Sequence, residues 1–533
     1  MYTKLIRTNE LSIAAEIIKK GGLVAIPTET VYGLAANAFN ENAVKKIFMA
    51  KGRPADNPLI VHVSDFSEVG QLVESIPLTA QRLAQHFWPG ALTMIMKRSD
   101  KISDIVSAGL NTVAVRMPDS EIARKIISLS GVPLAAPSAN LSGAPSPTTA
   151  QHVIDDLEGE IEGIVLGDDC RIGIESTVID LTGETPFLLR PGGVSVEEIE
   201  AAIGEISMSP AVLHMLTKSS EAKSPGMKYN HYAPDAEVIV VDSRSKHFTS
   251  YVNDSADSKT AAICFEEDAP FINENAFSYG EKNDHKTQAH MIFSLLREID
   301  NKGFKRVYIH APSRDGVGLA VYNRIIRAAS FNVIRLPLLI GITGTTGSGK
   351  SEASELISKK HTVIDADKCA GIVVDSLLPE LSAAFGIEVV GLDGKLDREL
   401  LAKKAFANPE KTALLNAITH PPIIEYVNRK LDETWNSGKY IVFLNAPQLF
   451  EAGYNNKCSK IIAIIADDKI RLKRIMSRDK ISRHQATLRM NAQKSNDFFS
   501  RNCDIIIENN GTVEAFRKAI REALHGMQLK IEN

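Results

Sequence analysis

The sequence predicts an α/β protein in three folded parts: a mixed α/β domain, a small parallel βα domain, and a P-loop domain with a doubly wound parallel sheet. Three observations predict it. At 533 residues the chain exceeds what one hydrophobic core organises, so about three domains of ordinary size are expected. Short apolar, β-branched runs alternate with helical stretches along its length. That alternation breaks twice, at a polar connector and at "LPLL", after which a strand, a glycine loop and a helix follow in turn.

From Gly21 to about Ile206, "LVAIP", "PLIVHV", "ALTMIMK", "TVAVRM", "GIVLG" and "TVIDL" read as strands, and "ENAVKKIFMA" and "LTAQRLAQHF" as helices. The next stretch, "SMSPAVLHMLTKSSEAKSPGMKYNHYAPDAE", has the Ser, Lys, Pro and Gly content of an exposed connector. Beyond it "VIVVD", "TAAICF", "RVYIHA" and "NVIRLP" alternate with helices expected over 286–299 and 317–329, which implies a second parallel sheet. The last part runs from the strand before the glycine loop to a terminal helix at "TVEAFRKAIREALHG". The expected divisions are 1–206, a connector at 207–236, 237–337 and 338–533.

Hydrophobic residues at 44% and charged residues at 24% describe a soluble globular chain. Lys and Arg total 61 against 65 Asp and Glu, a net charge of -4, so no electrostatic case exists for wrapping a nucleic acid. The five cysteines are scattered without CxxC spacing, which argues against a disulfide framework and against a zinc site. "MYTKLIRTNELS" lacks a signal peptide's apolar run, and no stretch approaches the roughly 20 apolar residues that span a bilayer. A cytoplasmic protein with no membrane partner is expected.

"GITGTTGSGKS" supplies G-x-x-x-x-G-K-[ST] between an apolar run and the helical "SEASELISKK", the context in which this loop binds phosphate. Backbone N–H groups from Gly344, Thr345, Thr346, Gly347, Ser348 and Gly349 would close around phosphate oxygens. Lys350 would reach the β- and γ-phosphates, and the Ser351 hydroxyl would ligate Mg²⁺. In "HTVIDADKCA" a strand delivers Asp365 and Asp367 to its C-terminal end, where open α/β sheets place ligands. Such a pair either caps the next helix or orients an acceptor hydroxyl.

With "DGKLDR", "ITHPPI", "NAPQLFEAG", "RLKRIMSRDKIS", "ATLRMNAQ" and "CDIIIENNG" in this order, residues 338 to 530 closely resemble dephospho-coenzyme A kinase. The resemblance implies transfer of the ATP γ-phosphate to the ribose 3′-hydroxyl of dephospho-coenzyme A, with Asp367 or Asp365 as general base. It places Arg398 and His420 toward that acceptor, Arg474, Arg478 and Arg489 in or beside a lid over the phosphates, and Asn509 near the adenine. Two positions depart from the family: Gly371, where it commonly has arginine, and Gln448, where it has leucine.

The N-terminal part holds no P-loop but four polar segments, "PTETVYGL", "KGRPADNPL", "APSANLSGAPSPT" and "IESTVIDL". Lys51 and Arg53, two apart, fall on one side of an extended chain and suit a triphosphate or carboxylate. Together with "LLRPGG", these segments closely resemble threonylcarbamoyl-AMP synthase over residues 5 to about 203, and "SPGMKYNHYAP" with the following βα part matches its long, two-domain form. The resemblance implies that L-threonine, bicarbonate and ATP give threonylcarbamoyl-AMP and pyrophosphate, the product passing to the tRNA-modifying machinery with no direct nucleic-acid contact. Thr30, His62, Arg116 and Ser176 then match the threonine side. Arg53, Asn57, Thr112, Ser138, Asn140, Ser146 and Arg190 match the ATP side, with Lys51 beside them and Tyr229 folding over the nucleotide. Charge from Lys51, Arg53, Arg116 and Arg190 would let an N-carboxylate approach an anionic α-phosphate. The alternatives are an RNA-binding module fused to a small-metabolite kinase, a different acceptor such as that of an adenylate or shikimate kinase, and one domain serving as an inactive scaffold.

Overall fold

The computed structural model describes residues 2–214, 233–491 and 493–527, and the chain divides into two compact units, Met1–Ile334 and Arg335–Asn533. The first unit holds two sheets. Its larger, 11-stranded sheet is mixed, and its central strands run in the order Leu134–Ala135, Ile60–His62, Thr112–Arg116, Leu92–Lys97, Thr177–Asp180 and Phe187–Arg190. Ile60–His62 lies parallel to Thr112–Arg116 with His62 opposite Arg116, while Thr177–Asp180 and Phe187–Arg190 run antiparallel. Strand direction therefore brings His62, Arg116, Ser176 and Arg190 to one end of the sheet.

Local signals explain how other polar groups reach that end. The helix Glu41–Lys51 starts at Asn40, whose side chain accepts from the N–H groups of Asn42 and Ala43. It stops at Gly52, whose φ of 60° lets the Arg53 N–H return to the Phe48 carbonyl at 3.0 Å. The extended geometry expected of Lys51 and Arg53 is thus corrected: Lys51 ends a helix and Arg53 leaves it after a left-handed turn.

The second sheet of this unit has five strands, in the order Ala276–Ser278, Thr260–Cys264, Arg306–His310, Glu237–Asp242 and Val333–Arg335, and the first four pair in parallel. Helices His285–Asn301 and Gly318–Ala328 lie where helical periodicity placed them. They bury Leu296, Ile299, Val321 and Ile325 in a core that also takes in Val31 and Ile174 from the mixed-sheet part.

The second unit is built on a five-stranded parallel sheet ordered Thr362–Asp365, Ile441–Asn445, Leu338–Gly344, Lys460–Ile465 and Ile505–Glu508. The strand before the glycine loop is central and reads as a continuous apolar run because both faces are covered: Ile342 packs in one core with Ile357 and Phe516, and Leu339 in another with Leu449.

Two candidate active sites

At the polar end of the mixed sheet lies a cleft of about 730 Å³, open to solvent and lined by Thr30, Lys51, Arg53, His62, Arg116, Ser138, Asn140, Ser176 and Arg190. Nine of the residues singled out from sequence therefore meet, although they come from segments spread between 30 and 190. Three others do not line it. Thr112 starts the strand that Arg116 ends, about 13 Å away at strand rise. Ser146 is fully buried and donates its hydroxyl to Glu175 at 2.6 Å. Asn57 is buried beneath the wall, its carbonyl accepting from Arg53 at 3.3 Å. Tyr229 lies outside the described residues.

Lys51 is only 3% exposed, and its ammonium donates to the carbonyls of Ser138 and Asn140 and, at 3.4 Å, to the Asn140 side chain. Its three protons bind the SxN loop to the helix end at the cleft wall. Burial, with Arg53 adding to it, drives the Lys51 pKa well down. His62 is held neutral, pushed down to about 3 by burial and by the Arg116 charge, and its buried Nδ1 has no partner among the described residues.

Two carboxylates absent from the sequence reading stand among these cations. Glu29 pairs with Arg116 at 2.6 Å, side chains 2% and 4% exposed, while Arg116 also donates to the Thr30 hydroxyl at 2.9 Å and the Gly90 carbonyl at 3.1 Å. Glu175 lines the cleft and pairs with Arg324 at 2.6 Å. Burial would raise the Glu175 pKa, but Arg324, Arg190 and the Ser146 hydroxyl hold it near 2. The available signal was an acid placed directly before a hydroxyl residue at a strand end, in "TET" and "EST". Their partners are 87 and 149 residues away, beyond any local pattern.

In the second unit a broad cleft of about 3400 Å³, counting its open mouth, runs along the C-terminal ends of the parallel strands. That is several times a one-ligand pocket. Gly344, Thr346, Gly347, Gly349, Lys350 and Ser351 line it, whereas the side chains of Thr345 and Ser348 turn inward and are buried. Gly344 at φ 135° has no room for a side chain, since a Cβ would stand 2.0 Å from the Ile464 carbonyl oxygen. Gly349, at φ 109°, turns the loop into the helix Lys350–Ser358. The Lys350 ammonium donates to the carbonyls of Gly344 and Thr345, both at 2.9 Å. Burial, aided by Arg471 and Arg478, lowers its pKa to about 8 against the opposing pull of Asp367.

The two acids divide their tasks. Asp365 caps the helix Ala366–Ser376 by accepting from the Lys368 N–H at 3.0 Å, and also accepts from Asn445 at 3.1 Å. Asp367 lines the cleft; burial and the neighbouring Asp365 charge raise its pKa, and Lys350 opposes them. Arg398 also faces the cleft, donating to Asp375 at 2.8 Å and to the Gly371 carbonyl at 2.7 Å. A Cβ on Gly371 would sit 3.5 Å from that guanidinium, so Arg398 fills the space beside Gly371. Arg474, Arg478, Gln448 and Asn509 line the same cleft. Asn509 donates to the Ser348 carbonyl at 2.7 Å, bracing the glycine loop. Arg489 pairs with Asp479, which also holds Arg478. His420 sits half-buried within the helix Pro409–Asn436 and is not among the residues lining this cleft.

Both units have counterparts in known proteins. A family model described as "Telomere recombination" matches residues 16–192, one described as "Threonylcarbamoyl-AMP synthase, C-terminal domain" matches 194–330, and one described as "Dephospho-CoA kinase" matches 338–515. The threonylcarbamoyl-AMP synthase of Pyrococcus abyssi is 47% identical over 332 residues, 61% of this chain and 96% of that protein. The dephospho-CoA kinase of Corynebacterium glutamicum is 37% identical over 181 residues, 33% of this chain and 90% of that protein. The crystal structure of P. abyssi Sua5 complexed with L-threonine superposes with a TM-score of 0.58 at 45% identity, covering 63% of this chain and 99% of that one.

Proposed function

Because the chain belongs to two families, threonylcarbamoyl-AMP synthase through residues 16–192 and 194–330 and dephospho-CoA kinase through 338–515, it is a fused nucleotidyltransferase and kinase, and we propose that each unit carries out its family's reaction in the cleft described above.

In the first unit, threonine and bicarbonate yield the N-carboxylate and water. A carboxylate oxygen then attacks the ATP α-phosphorus, the bond to the bridging oxygen breaks, and pyrophosphate leaves. The chain's contribution is positional and electrostatic. Arg116, oriented by Glu29, and the Thr30 hydroxyl receive threonine; neutral His62 offers that side a hydrogen-bonding ring without charge. Arg53 and Arg190 face the triphosphate across the SxN loop that Lys51 braces. The observation that carries this reading is the convergence of Thr30, Arg53, His62, Arg116, Ser176 and Arg190 on a single cleft. The product is handed to the tRNA-modifying machinery in the cytoplasm; no helix among the described residues is long and apolar enough to cross a membrane. The RNA-binding alternative is disfavoured by the net charge of -4 and by the gathering of the cations inside a small cleft instead of along a surface stripe.

In the second unit, the ribose 3′-hydroxyl of dephospho-coenzyme A loses its proton to Asp367 as its oxygen attacks the γ-phosphorus, and ADP leaves. The P-loop amides and Lys350 hold the polyphosphate, and Arg474 and Arg478 cover it from the lid side. The Ser351 hydroxyl and the cleft carboxylates form a hard oxygen set that suits Mg²⁺, which would neutralise charge on the transferring phosphates. Arg398 is placed for an anionic group of the acceptor.

The test is stoichiometric and catalytic. Calorimetric titration with a non-hydrolysable ATP analogue and Mg²⁺ should give two nucleotides per chain, while dephospho-coenzyme A elicits ADP and threonine with bicarbonate elicits pyrophosphate; one bound nucleotide at saturation contradicts the reading. A pH effect follows from Lys350. With its pKa near 8 the ammonium is charged below that pH, so kcat/KM for ATP in the kinase reaction should fall as pH rises through about 8. The kcat profile should hold to higher pH, since bound polyphosphate keeps the proton on. Lys350→Arg should remove the alkaline limb altogether, and its persistence would assign the limb to another group.

A further inference from the structure

The helices of the five-stranded sheet in the first unit send two arginines into the neighbouring fold. Arg324, on Gly318–Ala328, is fully buried, and its guanidinium is divided between Glu175 at 2.6 Å, the Pro191 carbonyl at 3.0 Å and the Asn323 side chain at 2.7 Å. Asn323 in turn donates to the Val212 carbonyl at 2.7 Å. Arg297, on His285–Asn301, reaches Asp156 at 2.7 Å and the Pro145 carbonyl. Pro145 precedes Ser146 and Pro191 follows Arg190, so each arginine grips the backbone beside a residue expected on the ATP side.

Glu175 is what makes the Arg324 contact consequential. It is the one carboxylate that lines the cleft among the described residues, and a bare negative charge there would repel a triphosphate. Its two oxygens are held apart from each other in function: one accepts from Ser146, the other from Arg324. The charged groups that face it are Arg324 from the helix and Arg190 from the strand Phe187–Arg190. Arg190 donates to the Ser176 carbonyl at 2.9 Å and is also expected to serve the nucleotide, which leaves Arg324 as the partner committed to Glu175.

We propose that Arg324 is a positioning residue for ATP: from the second sheet it neutralises Glu175, fixes it against Ser146, and sets the Glu175–Ser176 and Arg190–Pro191 walls at the separation a triphosphate needs. The five-stranded sheet then completes the nucleotide half of the cleft instead of merely adjoining it. Threonine's half is anchored separately, by Glu29, Thr30 and Gly90 on Arg116. The inference rests on the ATP-dependent synthase reaction proposed for this unit.

The experiment compares wild type, Glu175→Gln, Arg324→Met and the double variant in the full chain, reading threonine binding by calorimetry and the KM for ATP by threonine-dependent pyrophosphate release. Arg324→Met should raise the ATP KM on the order of tenfold or more and leave threonine affinity nearly unchanged. Glu175→Gln with Arg324→Met should recover most of that loss, since the uncompensated charge is gone. The ratio of the Arg324→Met KM to the wild-type KM should shrink as pH falls, because burial raises the pKa of the Glu175 carboxyl once Arg324 no longer opposes it, while the wild-type carboxyl, held near 2, stays charged. A purely structural role predicts no rescue and no pH effect on the ratio. If Arg324→Met does not fold, as judged by lost threonine binding, the double variant still decides: threonine binding with a near-wild-type ATP KM supports the proposal, and failure to fold there too overturns it. An unchanged ATP KM in Arg324→Met overturns it directly. Absence of pyrophosphate release in wild type would sink the assigned reaction, a result distinct from all of these.

Discussion

Asp367→Asn should lower kcat for phosphorylation of dephospho-coenzyme A on the order of 10³-fold, close to 4 kcal/mol of barrier, with little change in ATP affinity. The substitution keeps size and removes only the capacity to accept a proton. Its neighbour is the control. Asp365 already spends its oxygens on the Lys368 N–H and on Asn445, and asparagine caps a helix nearly as well as aspartate. Asp365→Asn should therefore cost far less. Burial and Asp365 raise the Asp367 pKa, so the acid limb of the kinase kcat/KM should lie above the ordinary carboxylate range and vanish in Asp367→Asn. Pyrophosphate release by the other unit, measured in the same sample, should be unaffected. A larger loss from Asp365→Asn than from Asp367→Asn would reverse the assignment of the base.

The second large effect is expected at Arg53. Arg53→Ala should cut threonine-dependent pyrophosphate release by about 10²- to 10³-fold, the scale of losing one preorganised charge at a reacting phosphate. Coenzyme A formation should stay at wild-type rate. Arg53 is a better probe than Arg116, which is paired with buried Glu29; removing Arg116 would leave that carboxylate uncompensated and confound catalysis with stability. Arg53 makes its wall contacts with the carbonyls of Asn57 and Pro58, at 3.3 and 3.1 Å, and those oxygens can be satisfied by water when it is gone. Undiminished pyrophosphate release in Arg53→Ala would count against the triphosphate lying along this wall.

Much of the kinase cleft was legible before any fold was known, because a glycine loop between a buried strand and a helix acts through its own backbone. Gly344, Gly349 and Lys350 carry their geometry in consecutive residues, and the strand ahead of them is apolar throughout because it is central. The segment "ITHPPI" is a different case: it folds into a 28-residue helix, and which way each of its residues faces depends on what packs against that helix. Lys51 repeats the lesson. Its spacing from Arg53 suggested two cations side by side, yet a helix end and the left-handed Gly52 separate their directions, and the ammonium is consumed by the loop of Ser138 and Asn140.

Local pattern was enough to order the elements, mark the P-loop and assemble the polar segments of the first unit, since strand period, glycine turns and hydroxyl-rich loops act over a few residues. Which charges oppose one another was decided only by folding. Glu29 meets Arg116 across 87 residues and Glu175 meets Arg324 across 149, and a buried carboxylate must find such a partner wherever the sheets bring one. Desolvation, which exists only once the chain is folded, then lowers the pKa of His62 and Lys350 and raises that of Asp367, whereas at Glu175 the Arg324 and Arg190 charges overcome it.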